Sequence, residues 1–236
     1  MSIKAVLFDL DGTLLPMDLD LFTNIYFGAL TERVAKLGYD PRAVANAIMS
    51  GTLAMMKNDG KKLNSEVFWD VFTSHLGSKA KEIEAYLDEF YQSGYEITLK
   101  ACSHNPEAAR LISYLKGRGV RLILATNPLF PPIATERRME WAGLDKSDFE
   151  LYTTYDNSSY CKPNPEYYRA ILAERGLLPE ECLMVGNDIT DDMVAEKLGM
   201  KVFLLTDCLI NKCGADISVY AHGSFAELYE FLDTLT

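Results

Sequence analysis

The chain has 236 residues and a formal net charge of −11, which argues against a general binder of nucleic acid or of anionic membranes, because both are negatively charged. Hydrophobic residues make up 48% of the chain and charged residues 24%, which is ordinary for a globular protein. The length allows one large domain, or a domain that carries a sizeable insert.

Cysteine usage and hydropathy indicate a cytoplasmic protein. Five cysteines at irregular spacing form no CxxC pair, as is typical of reduced thiols. No apolar stretch reaches the roughly 18 residues that a membrane helix needs, and the N-terminus predicts a strand rather than a signal peptide. The three histidines are too scattered to predict a zinc site.

The first predicted element is a buried strand that ends in two acids. A short apolar run begins at Ala5, and Asp9 and Asp11 follow it just before Gly12 and Thr13. Because side chains alternate along an extended chain, both carboxylates leave on one side. Acids this close repel each other unless a cation or a shared proton compensates. We therefore favour a functional pair over solvated turn residues, with one carboxylate attacking an electrophile and the other exchanging a proton beside a divalent cation.

The next segment, residues 18–95, contains no convincing strand. Its pattern predicts helices near residues 19–37, 41–56, 65–76 and 79–91. Asp40 is placed to cap the second helix, with Pro41 in its first turn. We therefore predict an all-helical module inserted into another domain.

From Asn105 onward, predicted helices and strands alternate. Strands are expected at residues 120–125, near 149–153, at 183–185, at 202–205 and near 217–219. Helices are expected from 106, from 131–132 toward 141, from 165 to about 174, from about 190 to 198, and from 225 to 235. This alternation predicts an α/β fold with a doubly wound parallel sheet, built from residues 1–17 and 96–236. In such a sheet, ligands lie beyond the carboxyl ends of the strands.

Three further polar groups lie where such a sheet would bind a ligand. Thr126 follows the strand at 120–125, where a hydroxyl and backbone N–H groups can hold phosphate oxygens, although a Thr at a strand end is more often structural. Lys162 precedes a helix N-terminus, which favours anions, although on its own it reads as an exposed loop lysine. Asp188 and Asp192 follow the strand at 183–185, where acids either cap a helix or supply oxygen ligands to Mg²⁺.

Taken together, these motifs resemble those of the haloacid dehalogenase (HAD) superfamily. The DxDGT signature that opens the family's sequences matches residues 9–13 at every fixed position. The family's second motif, a Ser or Thr that closes a core strand, matches Thr126, with Asn127 as its polar neighbour. The third motif resembles the KPxP pattern that begins at Lys162.

The fourth motif departs from the family pattern. It usually begins with Gly-Asp, whereas Asn187 stands in the place of that acid and Asp188 comes one residue later. Asp188 and Asp192 still reproduce the family's DxxxD spacing. We therefore expect Asp188 to be the direct metal ligand, and leave Asn187 and Asp192 as possible ligands or residues of the surrounding shell.

The resemblance implies a role for each matching residue. Asp9 would be the nucleophile and Asp11 the general acid/base, while Thr126, Asn127 and Lys162 would bind phosphate. Mg²⁺ would be held by Asp9, the Asp11 backbone carbonyl and Asp188. The helical insert would correspond to the family's C1 cap, which closes over the site, with hinges near residues 15–18 and 96–99.

The leading expectation is a Mg²⁺-dependent phosphatase that hydrolyses a small phosphorylated metabolite through an aspartyl-phosphate. The acid at position 11 counts against the dehalogenases and phosphonate hydrolases of the superfamily. One alternative is a phosphomutase, although the apolar stretch around Phe22 and Tyr26 lacks the polar group that mutase caps often carry. The other is a non-catalytic module that binds a phosphate ligand. The sequence identifies neither the substrate nor the oligomeric state.

Overall fold

A six-stranded parallel sheet forms the centre of the computed structural model, which describes residues 3–235. Its strands lie in the order β3-β2-β1-β4-β5-β6. They are β1 (Ala5–Phe8), β2 (Arg121–Leu124), β3 (Leu151–Tyr152), β4 (Cys182–Gly186), β5 (Lys201–Leu205) and β6 (Ala221–Gly223). Ala5 pairs with Arg121 on one side and with Cys182 on the other, so the winding direction switches at β1. The predicted doubly wound parallel sheet is confirmed, and the carboxyl end of β1 lies where such sheets bind ligands.

Helices cover both faces of the sheet, which explains why β1 is fully buried. Val6 packs in a cluster with Leu111 and Leu228, whereas its neighbour Leu7 packs in a second cluster with Ile171. The helices outside the insert are α5 (Pro106–Gly117), α6 (Pro132–Trp141), α7 (Pro165–Arg175) and α8 (Phe225–Leu235). The alternating apolar residues of β1 therefore serve two separate cores, one on each side of the sheet.

An all-helical segment is inserted between β1 and α5, as predicted. Its α-helices are α1 (Leu19–Lys36), α2 (Pro41–Met56), α3 (Asn64–Leu76) and α4 (Ala80–Glu89). A π-helical turn (Phe90–Gly94) and a 3-10 helix (Tyr95–Ala101) lead back to the sheet. The Asp40 side chain accepts a hydrogen bond from the Arg42 N–H at 2.9 Å, so it caps α2 as expected.

The two connections between the insert and the sheet run side by side. The Asp18 N–H donates to the Ala101 carbonyl at 3.0 Å, and the Ser103 N–H donates to the Pro16 carbonyl at 2.9 Å. The chain therefore enters and leaves the insert through one hydrogen-bonded neck. The division into residues 18–95 and the remainder stays a prediction.

Three predicted elements differ from the structure. Residues 190–198 do not form an α-helix; a turn leads into a 3-10 helix (Met193–Leu198), because the Asp188 side chain accepts from the N–H groups of Thr190 and Asp191. The predicted strand near 217–219 is a 3-10 helix (Ile217–Val219) whose start is capped by Asp216, and the strand follows it at β6. The strand predicted near 149–153 is reduced to Leu151–Tyr152, the two residues that pair with β2 at the edge of the sheet.

The structure also describes all five cysteines and the helices long enough to be considered as membrane spans. The cysteines form no disulfide within the described residues. Within residues 3–235, none of the helices combines the length and the apolar character needed to cross a bilayer.

Candidate active site

Asp9 lies at the first position beyond β1 and is almost fully buried. Its N–H donates to the Val185 carbonyl at 2.9 Å, which fixes its backbone to the neighbouring strand β4. Oδ1 accepts from Lys162 Nζ at 2.8 Å, and Oδ2 accepts from Thr13 Oγ1 at 3.2 Å. The carboxylate is therefore oriented by a cation and a hydroxyl.

Lys162 is 1% exposed and contacts a second carboxylate as well. Its Nζ lies 2.6 Å from Oδ1 of Asp192, whose side chain is also 1% exposed. Burial alone would lower the pKa of this ammonium, but Asp192 and Asp9 raise it well above its usual value, so the lysine stays charged. The other oxygen of Asp192 accepts from the Asp188 N–H at 3.0 Å. Both oxygens of Asp192 are thus engaged by protein groups.

Asn187 joins three loops at the same edge of the sheet. Its Oδ1 accepts from Thr13 Oγ1 at 3.0 Å, and its Nδ2 donates to the Cys208 carbonyl at 2.7 Å. The Gly12 backbone passes so close that a Cβ there would lie 2.3 Å from Asn187 Nδ2, at a φ of +86°. Position 12 therefore requires glycine for two reasons: a side chain would collide with Asn187, and the backbone has a left-handed conformation.

Asp188 caps the turn that follows β4, which is one of the two roles that the sequence allows for it. Its Oδ1 accepts from the Thr190 N–H at 2.7 Å and from the Asp191 N–H at 3.1 Å. Oδ2 takes no part in these two bonds. The half-buried Asp188 side chain is therefore oriented by the turn that follows β4, and one oxygen is not engaged in the cap.

Thr126 and Asn127 follow β2, on the opposite side of β1. The Thr126 carbonyl accepts from Thr153 Oγ1 at 2.6 Å and from the Tyr167 hydroxyl at 2.9 Å, which fixes the end of the strand. Asn127 Nδ2 donates to Asp191 Oδ2 at 3.2 Å. Its buried Oδ1 has no hydrogen-bond partner within residues 3–235. A buried amide oxygen of this kind is costly in a purely structural role.

Arg138 of α6 is a candidate site residue that sequence reasoning missed. It is 1% exposed, and its Nη1 lies 3.3 Å from Oδ2 of Asp11. The guanidinium stacks on the Phe130 ring, with Cζ 4.5 Å from the ring centroid. A helical projection could have found it, because it shares the buried face of α6 with Ala134, Thr135 and Met139.

The acid/base candidate, Asp11, is affected by burial and by Arg138 in opposite directions. Burial raises the pKa of the Asp11 carboxyl above its usual value, and the Arg138 guanidinium partly offsets that rise. Asp11 Oδ1, together with Nε and Nη1 of Arg138, has no hydrogen-bond partner in the part of the chain that the structure describes. The carboxyl group is therefore set up to hold a proton more readily than an exposed aspartate would.

The helical insert contacts the sheet domain a second time, close to Lys162. The Asn64 N–H, at the start of α3, donates to the Ser158 carbonyl at 2.8 Å, and the Ser65 N–H donates to the Tyr155 carbonyl at 2.9 Å. The fully buried Asn64 side chain donates to the Tyr160 carbonyl at 3.3 Å. The insert is therefore held against the loop that carries the predicted phosphate-binding lysine.

The oxygen atoms of the predicted metal site are of the chemical type that binds Mg²⁺. In residues 3–235, no three Asp, Glu, His or Cys side chains are arranged to hold a metal ion by themselves. The predicted set needs only two such side chains, from Asp9 and Asp188 beyond the neighbouring strands β1 and β4, because the Asp11 carbonyl and water supply the rest. Hard oxygen donors in such a mixture are what Mg²⁺ prefers.

Comparisons with known proteins identify the family of the chain. The sequence model of a hydrolase family, the haloacid dehalogenase-like hydrolases, matches residues 3–199. The chain is 27% identical to the ribulose-1,5-bisphosphate 5-phosphatase of Halopiger xanaduensis, over 85% of this chain and 83% of that protein. It is 26% identical to the phosphoglycolate phosphatase of Rhodospirillum rubrum, over 86% and 79%. The crystal structure of a HAD phosphatase from Thermococcus onnurineus matches with a TM-score of 0.58 at 22% identity, over 98% of each chain, which indicates a shared fold.

Proposed function

Because the chain belongs to the haloacid dehalogenase-like hydrolase family, we propose that it is a Mg²⁺-dependent phosphatase acting on a small phosphomonoester. Phosphatase relatives support hydrolysis of a phosphate ester as the reaction. The observation that carries the proposal is the position of Asp9, a buried carboxylate oriented by Lys162 and Thr13 at the switch point of the sheet. A carboxylate so placed is suited to nucleophilic attack.

The proposed reaction has two steps. In the first, an Asp9 carboxylate oxygen forms a bond to phosphorus while the ester P–O bond breaks, and Asp11 gives its proton to the departing alcohol oxygen. In the second, Asp11 takes a proton from water as that water attacks the aspartyl-phosphate. The water oxygen then bonds to phosphorus, the Asp9 carboxylate is released, and inorganic phosphate leaves.

The other predicted residues would bind and orient the phosphoryl group. Lys162, kept charged by its two carboxylate partners, would oppose the negative charge of the phosphoryl oxygens. Thr126 and Asn127, beyond β2, would contribute polar groups on the other side of Asp9. Arg138 would act through Asp11 by limiting the rise of its pKa, and is therefore proposed as a positioning residue.

Mg²⁺ would be held by Asp9, the Asp11 carbonyl and Asp188. When bound, it would supply positive charge that offsets the repulsion between a carboxylate and a dianionic ester. Asp188 is favoured over Asp192 because both Asp192 oxygens already bind protein groups. Asn187 is proposed as a loop linker beside the ion rather than as a ligand, because its side chain joins Thr13 and the Cys208 carbonyl.

The phosphomutase alternative is weaker. α1 places Phe22 and Tyr26 in the buried cluster that it forms with the sheet domain, and the Tyr26 hydroxyl is paired with Tyr91 at 2.8 Å. A mutase would need a free acid/base group on this side of the site. Product analysis separates the two reactions, since a mutase returns an isomerised sugar phosphate whereas a phosphatase releases inorganic phosphate.

The test is phosphate release from a panel of phosphomonoesters by the wild type, Asp9→Asn and Asp59→Asn. Asp59 pairs with Lys61 on the exposed surface and serves as the matched control. We expect turnover with Mg²⁺, loss of turnover with EDTA, and about a 1,000-fold or greater loss in Asp9→Asn, because the covalent route is removed. Retained activity in Asp9→Asn, or activity indifferent to chelation, would contradict the proposal.

A further inference from the structure

A cavity of about 350 Å³ lies between the helical insert and the sheet domain. Its walls are rich in aromatic side chains, among them Phe22, Tyr26 and Phe27 of α1, Trp69 of α3, and Phe130 from the loop after β2. A volume of this size lies within the range of small-molecule pockets. The cavity is therefore large enough for an organic group of a few carbons up to one or two rings.

Four hydroxyl groups on these walls already have partners. The hydroxyls of Tyr26 and Tyr91 lie 2.8 Å apart and bond to each other. Thr23 and Thr52 donate their hydroxyls to carbonyl groups one turn earlier in their own helices, at 2.8 and 3.0 Å. These groups therefore have little hydrogen-bonding capacity left for a polyhydroxylated guest such as a sugar.

The charge of the lining disfavours a second anionic group. None of the residues that line the cavity within the described chain is Arg, Lys or His, and the one charged residue is the acid Asp88. Arg138 stacks on Phe130 but does not line the cavity. A carboxylate or second phosphate placed here would lose its water without gaining a cation, which disfavours its binding.

The cavity adjoins the proposed site along two stretches of chain. Leu129 and Phe130, in its wall, come two and three residues after Asn127. Leu19 lines both this cavity and the crevice that contains Asp11 and Asn187. A group attached to a phosphate at Asp9 would therefore extend toward the aromatic walls.

We propose that this cavity receives the alcohol portion of the substrate, and that the enzyme hydrolyses phosphomonoesters of apolar alkyl or aromatic alcohols. The inference rests on the proposed phosphatase function and adds the class of the leaving group. This leaving-group class distinguishes the chain from its relatives that are named for phosphoglycolate and ribulose bisphosphate. Each of those two compounds carries a second anionic group, which would need a cation that this lining lacks.

The decisive measurement is kcat/KM for n-alkyl phosphates from ethyl to hexyl, compared with phosphoglycolate and glycerol 3-phosphate. All of these have alkyl leaving groups, so differences in leaving-group acidity remain small. Burial of each added methylene should raise kcat/KM by about fourfold until the cavity is filled. Hexyl phosphate should exceed both polar esters by at least about tenfold. A flat alkyl series, or a preference for phosphoglycolate, would overturn the inference and leave the phosphatase proposal standing.

A matched pair of variants tests the site of binding. Leu53 of α2 lines the cavity, whereas Asn46 lies on an exposed face of the same helix outside it. Leu53→Arg should lower the ratio of kcat/KM for hexyl phosphate to that for phosphoglycolate by about tenfold, since it puts a cation among apolar walls. Asn46→Arg should leave that ratio unchanged. Equal effects of the two substitutions would contradict the assignment.

Binding without turnover separates the two proposals. Alkylphosphonates carry the same head group but no ester bond, so calorimetry on the wild type with Mg²⁺ measures the cavity alone. Hexylphosphonate should bind more tightly than methylphosphonate by about fourfold per methylene. If no ester is hydrolysed, the phosphatase proposal fails, and equal affinity for the two phosphonates would remove the apolar site as well.

Discussion

Nη1 of Arg138 lies 3.3 Å from Oδ2 of Asp11, and the arginine is buried beneath the Phe130 ring. Burial raises the pKa of Asp11, and Arg138 opposes that rise more strongly than Lys162 does, while Asp9 adds to it. A residue from α6 that no motif identifies therefore limits the rise in the pKa of the proposed acid/base group.

Replacing Arg138 by Met should move the alkaline limb of the kcat/KM profile to higher pH. Asp11 must hold a proton in the free enzyme, and removal of the neighbouring cation raises its pKa further, so the protonated form persists further into the alkaline range. Arg138→Lys should restore part of the shift. The measurement is kcat/KM for one phosphate ester between pH 5 and 10. An unchanged alkaline limb in a folded Arg138→Met protein would refute the coupling.

Replacing Lys162 by Met should destabilise the fold by about 3 kcal/mol at neutral pH, because buried carboxylates lose their cation. Burial already raises the pKa of Asp192 to about 7, and loss of Lys162 raises it further. The folded state then binds more protons than the unfolded state between the ordinary value of 3.8 and that raised value, so stability falls as pH rises through this window. Urea unfolding at pH 5 and pH 8 measures the slope.

The matched control for that experiment is Lys4→Met. Lys4 pairs with Glu181 at 2.5 Å, but its side chain is 63% exposed. An exposed pair of this kind contributes about 0.5 kcal/mol or less, so little change and little added pH dependence are expected. Similar losses for the two variants would show that the burial of Lys162 has no special energetic role.

Replacing Gly12 by Ala should cost more stability than the same change at Gly119. Both glycines have a positive φ, of 86° and 73°, so each alanine pays the left-handed backbone cost of about 1 kcal/mol. Only at Gly12 would the new Cβ also collide, 2.3 Å from Asn187 Nδ2, whereas the space at Gly119 is open. Chemical denaturation should show an extra loss of about 1–3 kcal/mol for Gly12→Ala. Equal losses of stability in the two variants would show that the Asn187 side chain moves aside without a cost in free energy.

Mg²⁺ should raise the melting temperature of the wild type but not that of Asp188→Asn. Binding at 100 times the Kd stabilises a fold by about 2.7 kcal/mol, and the asparagine can still cap the turn while lacking the charge. Asp192→Asn should lower the melting temperature without Mg²⁺, because it weakens the pair with Lys162, yet retain the Mg²⁺-induced rise. The reverse pattern would assign the third metal ligand to Asp192.

Most of the sheet was predictable because apolar runs bounded by turn residues mark buried strands. The run that ends at Asp9 pairs with strands on both sides, so the predicted polar residues at neighbouring strand ends do lie around it. Lys162 is different, because it reaches Asp9, 153 residues earlier in the chain and 2.8 Å away, from the loop before α7 rather than from the end of a neighbouring strand.

The parts that were missed depend on information that periodicity does not carry. Residues 217–219, Ile-Ser-Val, predict a strand, but the Asp216 side chain accepts a hydrogen bond from the Ser218 N–H and favours a 3-10 turn. In the sequence, Arg138 looks like one of many surface charges, because its position on the buried face of α6 is clear only from the fold. The aromatic cavity arises only when α1 meets the loop at Phe130, which no single segment reveals.

The neck of the helical insert also bears on how this segment could be exchanged. Pro16 and Asp18 are bonded to Ser103 and Ala101, so the outgoing and returning backbones are neighbours. A different segment whose two ends lie equally close could be joined at this point without rerouting any strand. Recombination could therefore replace the insert while the carboxylates beyond β1 keep their places.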